Sequence, residues 1–219
     1  MNAAAVTMDG LTTSTETARF ARKARTRTVA VVSDDEDAQL MLAYARGEMR
    51  AFEKLYSRHR AALYRYLVRQ AHDGEVANDL FQEVWSRVVL NRGRYEARAK
   101  FRTFLFTLAH NCFIDHCRRT RARPMSVGIE DADAADLLAD DATRRPEQEL
   151  ERGEHSRRYR AALAALPPEQ RDVYLLHEES DLSLEEIARV TGVGTETAKS
   201  RLRYAVNKLK AAMAADDRA

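Results

Sequence analysis

The sequence predicts an all-α fold: two small helical domains joined by a flexible acidic linker, the C-terminal one containing a helix-turn-helix. Three observations carry that prediction. Apolar residues recur at helical spacing, as in Ala198, Leu202, Ala205, Val206 and Leu209, which fall on one stripe of a helix. Helix breakers are scarce, with 8 Gly and 4 Pro in 219 residues, while the good helix formers Ala, Leu, Arg and Glu abound. Charge is also segregated, since residues 124–151 carry nine acids against two arginines, net −7, in a chain of net charge +2.

Residues 1–33 hold five basic and two acidic groups, are rich in Ala and Thr and lack helical periodicity, so they read as a disordered tail. Residues 34–122 form the first domain, with helices expected near 37–46, 48–70, 73–90 and 101–122. In the third of these, Asp73 is the expected cap, and Val76, Leu80, Phe81, Val84 and Val88 line one side. Glu75, Asp79, Gln82 and Glu83 lie opposite, an acidic face that suits either plain solvation or a basic partner helix.

The loop that follows, "NRGRYEARAKFR", is strongly basic: from Arg87 to Arg102 inclusive, six residues are Lys or Arg against the single Glu96. Such a loop suits phosphates. In the next helix Phe101, Leu105, Leu108 and Cys112, with Ile114 or His116, point to a core, while Asn111 and Asp115 share the other side and Arg118, Arg119, Arg121 and Arg123 close it. Cations, amide edges and rings together are what capture of single-stranded DNA requires. A buried aromatic core with a solvated arginine end explains most of the aromatics equally well.

Residues 123–146 are the acidic linker, 147–213 the second domain and 214–219 a short tail. A helix to about Leu166 is broken by Pro167 and Pro168, and another begins near Glu169 with Val173, Tyr174 and Leu176 inward. In "DLSLEEIARVTG", Ser183 and Glu186 have the spacing of a capping box, Leu182 and Ile187 that of a hydrophobic staple, and Gly192 suits a left-handed stop. Thr195 can cap the last helix. Two short helices about a Gly-containing turn make a helix-turn-helix, whose second helix enters the DNA major groove. The outer face of that helix presents Glu196, Ser200, Arg203 and Asn207, flanked by Lys199, Arg201, Tyr204 and Lys208.

Several functions are excluded. No apolar run approaches the ~20 residues needed to cross a bilayer, and no hydrophobic signal core is followed by a small-residue cleavage site, so the expectation is a cytoplasmic protein without membrane insertion. Cys112 and Cys117 lie on different helix faces and are expected to stay reduced. The cluster His110, Cys112, His116 and Cys117 does not converge as a zinc site: His110 and Cys112 diverge by about 200° on a helix, and no second ligand pair lies nearby. With no phosphate-binding P-loop and no nucleophile paired to a base, no metal, other cofactor or enzymatic activity is expected.

Taken together, the segments "AFEKLYSRHRAALYRYL", "DLFQEVWSRVV", "FRTFLFTLAHNCFIDHCRR", "LPPEQRDVYLLHEESDLSLEEIARVTGV" and "AKSRLRYAVNKLK" resemble bacterial RNA polymerase sigma factors of the extracytoplasmic-function group in the sigma-70 family. The resemblance spans roughly Asp37 to Met213, in the family's order and spacing. It implies a factor that binds core polymerase, at the β′ clamp helices and the β flap, and directs promoter recognition and DNA opening, with an anti-sigma factor as a further candidate partner. By the same resemblance Asp79, Gln82, Glu83 and Trp85 dock on polymerase. Arg94, Lys100, Asn111, Asp115, Arg118 and Arg119 melt and read the minus-ten element. Thr195, Glu196, Lys199, Ser200, Arg201, Arg203 and Tyr204 read the minus-thirty-five element. One departure stands out, since Glu196 occupies a position where many members have Gly. The alternative is a stand-alone helix-turn-helix regulator of duplex DNA, which leaves the "DLFQEVW" helix unexplained; a metal- or redox-sensing protein using Cys112 and Cys117 is a more distant one.

Overall fold

In a computed structural model, residues 35–121 and 146–214 are described, and every regular element among them is helical. The helices are α1 (Glu36–Ala45), α2 (Met49–Ala71), α3 (Gly74–Leu90), α4 (Phe101–Arg121), α5 (Pro146–Ala164), α6 (Pro168–Ser180), α7 (Leu184–Thr191) and α8 (Thr195–Ala214). A single 3-10 turn, Arg92–Arg94, follows α3. The expectations for the tail at 1–33 and most of the linker at 123–146 lie outside the described residues.

Local chemistry sets the helix ends. Asp73 accepts from the amides of Glu75 and Val76 at 2.8 and 3.0 Å, as its sequence position predicts. At α7 the full capping box is present: the Glu186 amide donates to Ser183 Oγ and the Ser183 amide to Glu186 Oε2, at 3.3 and 2.9 Å. The staple residues Leu182 and Ile187 are both buried. Gly192 ends α7 in the left-handed conformation, φ 71°, where a side chain would be strained. Thr195, expected to cap α8, is instead already helical. The preceding Gly194 carbonyl accepts the Ala198 amide, so the cap falls one residue earlier.

The first four helices pack as one bundle, with α2 against α1, α3 and α4 and α4 against α3. In the second half α8 packs on α5, α6 and α7. The two halves also pack on each other, α2 against α6 and α4 against α7, and their buried side chains form one continuous cluster. This double contact explains why α4 departs from its expected single stripe. Phe101, Leu105 and Cys112 are buried as expected, but so are Thr103, Phe106, Ala109 and Phe113, because α4 has neighbours on two sides. Leu108, Ile114 and His116 are only partly covered. In α6, Leu175 joins Val173 and Leu176 in the core, and Tyr174 is partly covered.

Asp35 ties two helices together. One carboxylate oxygen accepts the Asp37 amide at the start of α1, and the other accepts the Phe101 amide at the start of α4, at 3.2 and 2.7 Å. Next to it, Asp37 pairs with Arg58 and with the buried His59, both at 2.7 Å. Burial alone would raise the Asp37 carboxyl, but Arg58 and His59 outweigh it and hold it below its ordinary value. A depressed folded-state pKa adds stability above the unfolded value, and that stability disappears as pH falls through the folded one. Asp35→Ala should lower stability by about 1–2 kcal/mol, the cost of a lost cap, measured as a shift in the urea unfolding midpoint.

Candidate nucleic-acid interface

The residues between α3 and α4 build an open cleft of about 440 Å³, lined by Asn91, Arg94, Tyr95, Glu96, Arg98, Phe104 and Leu108. That volume lies within the ~300–1,000 Å³ of small-ligand sites. Its apolar side is a pair of rings, Tyr95 and Phe104, with centroids 5.1 Å apart and planes at 68°. Its polar side is the Arg98–Glu96 ion pair, with Arg94 exposed beside it. Burial, then the nearby Asp35 and Asp37 carboxylates, push the Tyr95 hydroxyl well above its usual range, so it remains a neutral phenol. The loop is held at both ends. The Asn91 side chain donates to the Arg87 carbonyl at 2.8 Å, and Asp35 holds the first amide of α4.

Along α4, Phe104, Leu108, Asn111 and Asp115 stand at i, i+4, i+7 and i+11, one side of a helix. The helix face that lines the cleft therefore continues, beyond the cleft itself, to the exposed Asn111 and the partly covered Asp115. Asp115 lies in an ion-pair chain: Arg87 is 3.7 Å from it and 2.5 Å from Glu83, Arg118 is 3.9 Å from Asp115, and Arg119 is 3.6 Å from Glu83. Glu83, expected on a polymerase face, and Asp115, Arg118 and Arg119, expected on DNA, thus belong to one network.

Lys100 behaves differently from the rest of its group. Its Nζ turns away to the second half, 3.3 Å from Glu186 Oε1, the same oxygen that accepts Thr103 Oγ1 at 3.2 Å. Burial would raise the Glu186 carboxyl, but the Ser183 amide and Lys100 hold it below the ordinary range.

On the outer side of α3, Asp79 and Gln82 are exposed and Glu83 partly so. Trp85 is not part of that surface. It is 6% exposed and lies in an aromatic layer with Phe52, Tyr56 and Phe81, at centroid distances of 5.7, 4.9 and 6.3 Å. The resemblance groups it with the docking residues, yet on the helix it lies about 40° from Phe81, at the edge of the covered side. Its bulk supports the face from beneath.

On α8, Thr195, Glu196, Lys199, Arg203 and Tyr204 are exposed, and Ser200 and Arg201 are partly covered. Arg203 stacks over the Tyr204 ring at 5.3 Å, and Lys199 is 3.9 Å from Glu196, a weak contact between exposed groups. Of the cleft residues, Tyr95 and Phe104 are not singled out in the sequence, and Leu108 reads there as core, whereas it lines the cleft. The available signal was the lone Tyr in a run of cations.

Cys112 is fully buried, with its thiol pushed up to about 11 chiefly by burial, the reverse of what a redox-sensing thiolate needs.

Residues 55–123 match the family model for Sigma-70 region 2, and residues 156–209 match that for Sigma-70, region 4. The RNA polymerase sigma factor CarQ of Myxococcus xanthus is 30% identical over 165 residues, covering 75% of this chain and 90% of CarQ. The chain belongs to the extracytoplasmic-function group of the sigma-70 family. The ECF RNA polymerase sigma factor SigM of Bacillus subtilis is 28% identical to this sigma factor over 159 residues, covering 73% of this chain and 93% of SigM. The fold of this sigma factor is shared with the sigma factor RpoE from Bartonella quintana, solved with the anti-sigma factor NepR. The match has a TM-score of 0.57 at 22% identity, over 75% of this chain and 98% of that one. Membership disposes of the stand-alone regulator, which has no counterpart to residues 55–123.

The ring pair makes the cleft testable. Phe104→Ala should reduce binding of a fluorescent single-stranded oligonucleotide by about 1–3 kcal/mol, the usual worth of one base–aromatic stack, measured by anisotropy with core polymerase present.

Proposed function

We propose that this sigma factor binds core RNA polymerase and directs promoter recognition and DNA opening, contributing no bond-breaking chemistry of its own and working in the cytoplasm beside the polymerase. The cleft between α3 and α4 carries the reading. Rings for stacking, cations for phosphate and the amide of Asn111 on one continuous face are the groups that hold an extruded base of the minus-ten strand. Arg94, Asn111, Asp115, Arg118 and Arg119 line that path, and Lys100 joins it when it is released from Glu186.

The exposed Asp79 and Gln82, with Glu83, form the face offered to the β′ clamp helices, supported by the aromatic layer around Trp85. The helix-turn-helix of α7 and α8 reads the minus-thirty-five duplex through Thr195, Glu196, Lys199, Ser200, Arg201, Arg203 and Tyr204, next to the β flap. An anti-sigma factor is a fitting regulator, because RpoE is bound by one.

Opening costs a few kcal/mol for each extruded base. The first half can offset this only by holding single strands better than duplex. Two DNA modules of modest affinity gain from each other when the polymerase fixes their separation, because the second contact is then intramolecular.

In vitro transcription with purified core polymerase on a genomic promoter library tests the reading, and absence of start-site-dependent transcripts on every template overturns it. Lys199→Ala and Arg203→Ala should each weaken upstream duplex recognition by about 1–3 kcal/mol while leaving core binding intact, as read by footprinting and by co-elution. Asn111→Ala should slow strand opening, followed by permanganate reactivity of unpaired thymines, without changing duplex affinity.

A further inference from the structure

The short helix α1 is fixed to the bundle along one side. Ala38, Met41 and Tyr44 are buried there, and its first turn is pinned to α2. Arg58 donates to Glu36 at 2.9 Å and to Asp37 at 2.7 Å, and His59 Nε2 lies 2.7 Å from the other Asp37 oxygen. The same helix reaches the cation-rich loop at both of that loop's ends. Asp35, the cap of α1, accepts the Phe101 amide that opens α4, at 2.7 Å. Tyr44, near the other end of α1, meets Arg92 in the 3-10 turn where the loop begins. The guanidinium lies over the ring, 5.5 Å from its centroid, and Nη1 donates to the hydroxyl at 3.4 Å. α1 also packs directly on that turn and on α4.

The spacing of these two holds gives them a consequence. Nine steps of helix place Asp35 and Tyr44 about 14 Å apart along the axis, whereas ten free residues, as in 91–100, could reach ~33 Å. A loop tied at both ends to one rigid bar gives up most of that freedom before any ligand arrives. Ordering a loop in advance raises affinity by removing part of the cost of binding. Between the two holds stand Arg94, Tyr95, Glu96 and Arg98 of the cleft. α1 is not among the cleft's lining residues, and it lies ahead of residues 55–123, the part matched to Sigma-70 region 2.

We infer that α1 is a splint for the cleft: Asp35 and Tyr44 are positioning residues that hold the two ends of the loop, so that Tyr95 and Phe104 stand ready for a single strand. The inference rests on the proposed minus-ten role of the cleft. Neither positioning residue meets the strand, and each acts through the loop end that it fixes.

Three variants of the full-length chain test it. Asp35→Ser separates the two duties of the carboxylate, because a serine hydroxyl still caps α1 but offers one oxygen where Asp35 uses two. Arg92→Lys keeps the charge of the loop and loses the flat guanidinium that lies on Tyr44. Asp73→Ala is the control: it removes the cap of α3 at the end far from the cleft, and so lowers stability without touching the loop. Anisotropy of a fluorescein-labelled, mixed-sequence 12-nucleotide single strand is read with core polymerase, against core polymerase alone. Asp35→Ser should lose strand affinity by roughly 5- to 150-fold, the ordering of two cleft rings. Arg92→Lys should lose less, and Asp73→Ala should bind like the parent. Hydrogen exchange at residues 92–101 should quicken in the first two variants and not in the third, while upstream duplex footprints and co-elution with core polymerase stay at parent values in all three. If Asp35→Ser loses its helical circular dichroism, Arg92→Lys decides alone. Parent-like strand affinity in the folded loop variants overturns the inference, and so does an equal loss in Asp73→Ala at the same shift of the urea midpoint. A parent chain that adds no strand affinity to core polymerase instead overturns the minus-ten reading of the cleft, on which the inference is built.

Discussion

A carboxylate taken out of water must be met by donors or it destabilises the fold that holds it. Asp172 is such a group. Its donors come from α2, through Tyr66 and Gln70, and its third neighbour, His110, from α4. Because the helix that carries Asp172 belongs to the other half, satisfying this one side chain fixes how α6 lies across the first bundle. The Tyr66 hydroxyl, buried and facing that carboxylate, is raised well above its ordinary range and remains a donor. Arg171 extends the same junction, donating to Gln70 Oε1 at 3.4 Å and to His72 Nε2 at 2.8 Å.

The cleft depends on a second set of polar constraints, near the start of the chain's described part. Asp35 sets the first turn of α1 and of α4 together, and Asn91 closes the end of α3, so a loop rich in cations is held without a hydrophobic anchor of its own beyond Tyr95. This arrangement leaves Arg92, Arg94, Arg98 and Lys100 on the surface while their backbone remains placed. A placed backbone with exposed cationic side chains is the arrangement that suits contact with a phosphate backbone.

Much of the fold was legible because local rules and packing agree here. Asp73, the Ser183–Glu186 box, the Leu182–Ile187 staple and Gly192 each do in the structure what their spacing predicts, and each depends only on neighbours within a turn or two. The outer faces of α3 and α8 were legible for the same reason: exposed Asp79, Gln82, Lys199 and Arg203 follow from helical angle alone. What was hidden depends on distant partners. Phe106 and Phe113 break the stripe of α4 because a second half covers them, Trp85 belongs to the docking segment by resemblance but is claimed by the aromatic layer with Phe52 and Tyr56, and Lys100 looks free until Glu186 arrives from 86 positions later. Glu186 shows the limit most clearly. Its capping duty is written in four consecutive residues, whereas its duty to Lys100 and Thr103 is written nowhere near it.

The chain of charges through Glu83 joins α3 to α4. Arg87 and Arg119 both lean on that carboxylate, and Arg87 also reaches Asp115 on α4. A cationic partner pairing with Glu83 would compete with both guanidiniums for that carboxylate, beside the face that runs up α4. On the proposed reading, docking on the polymerase and capture of a single strand therefore draw on the same carboxylate.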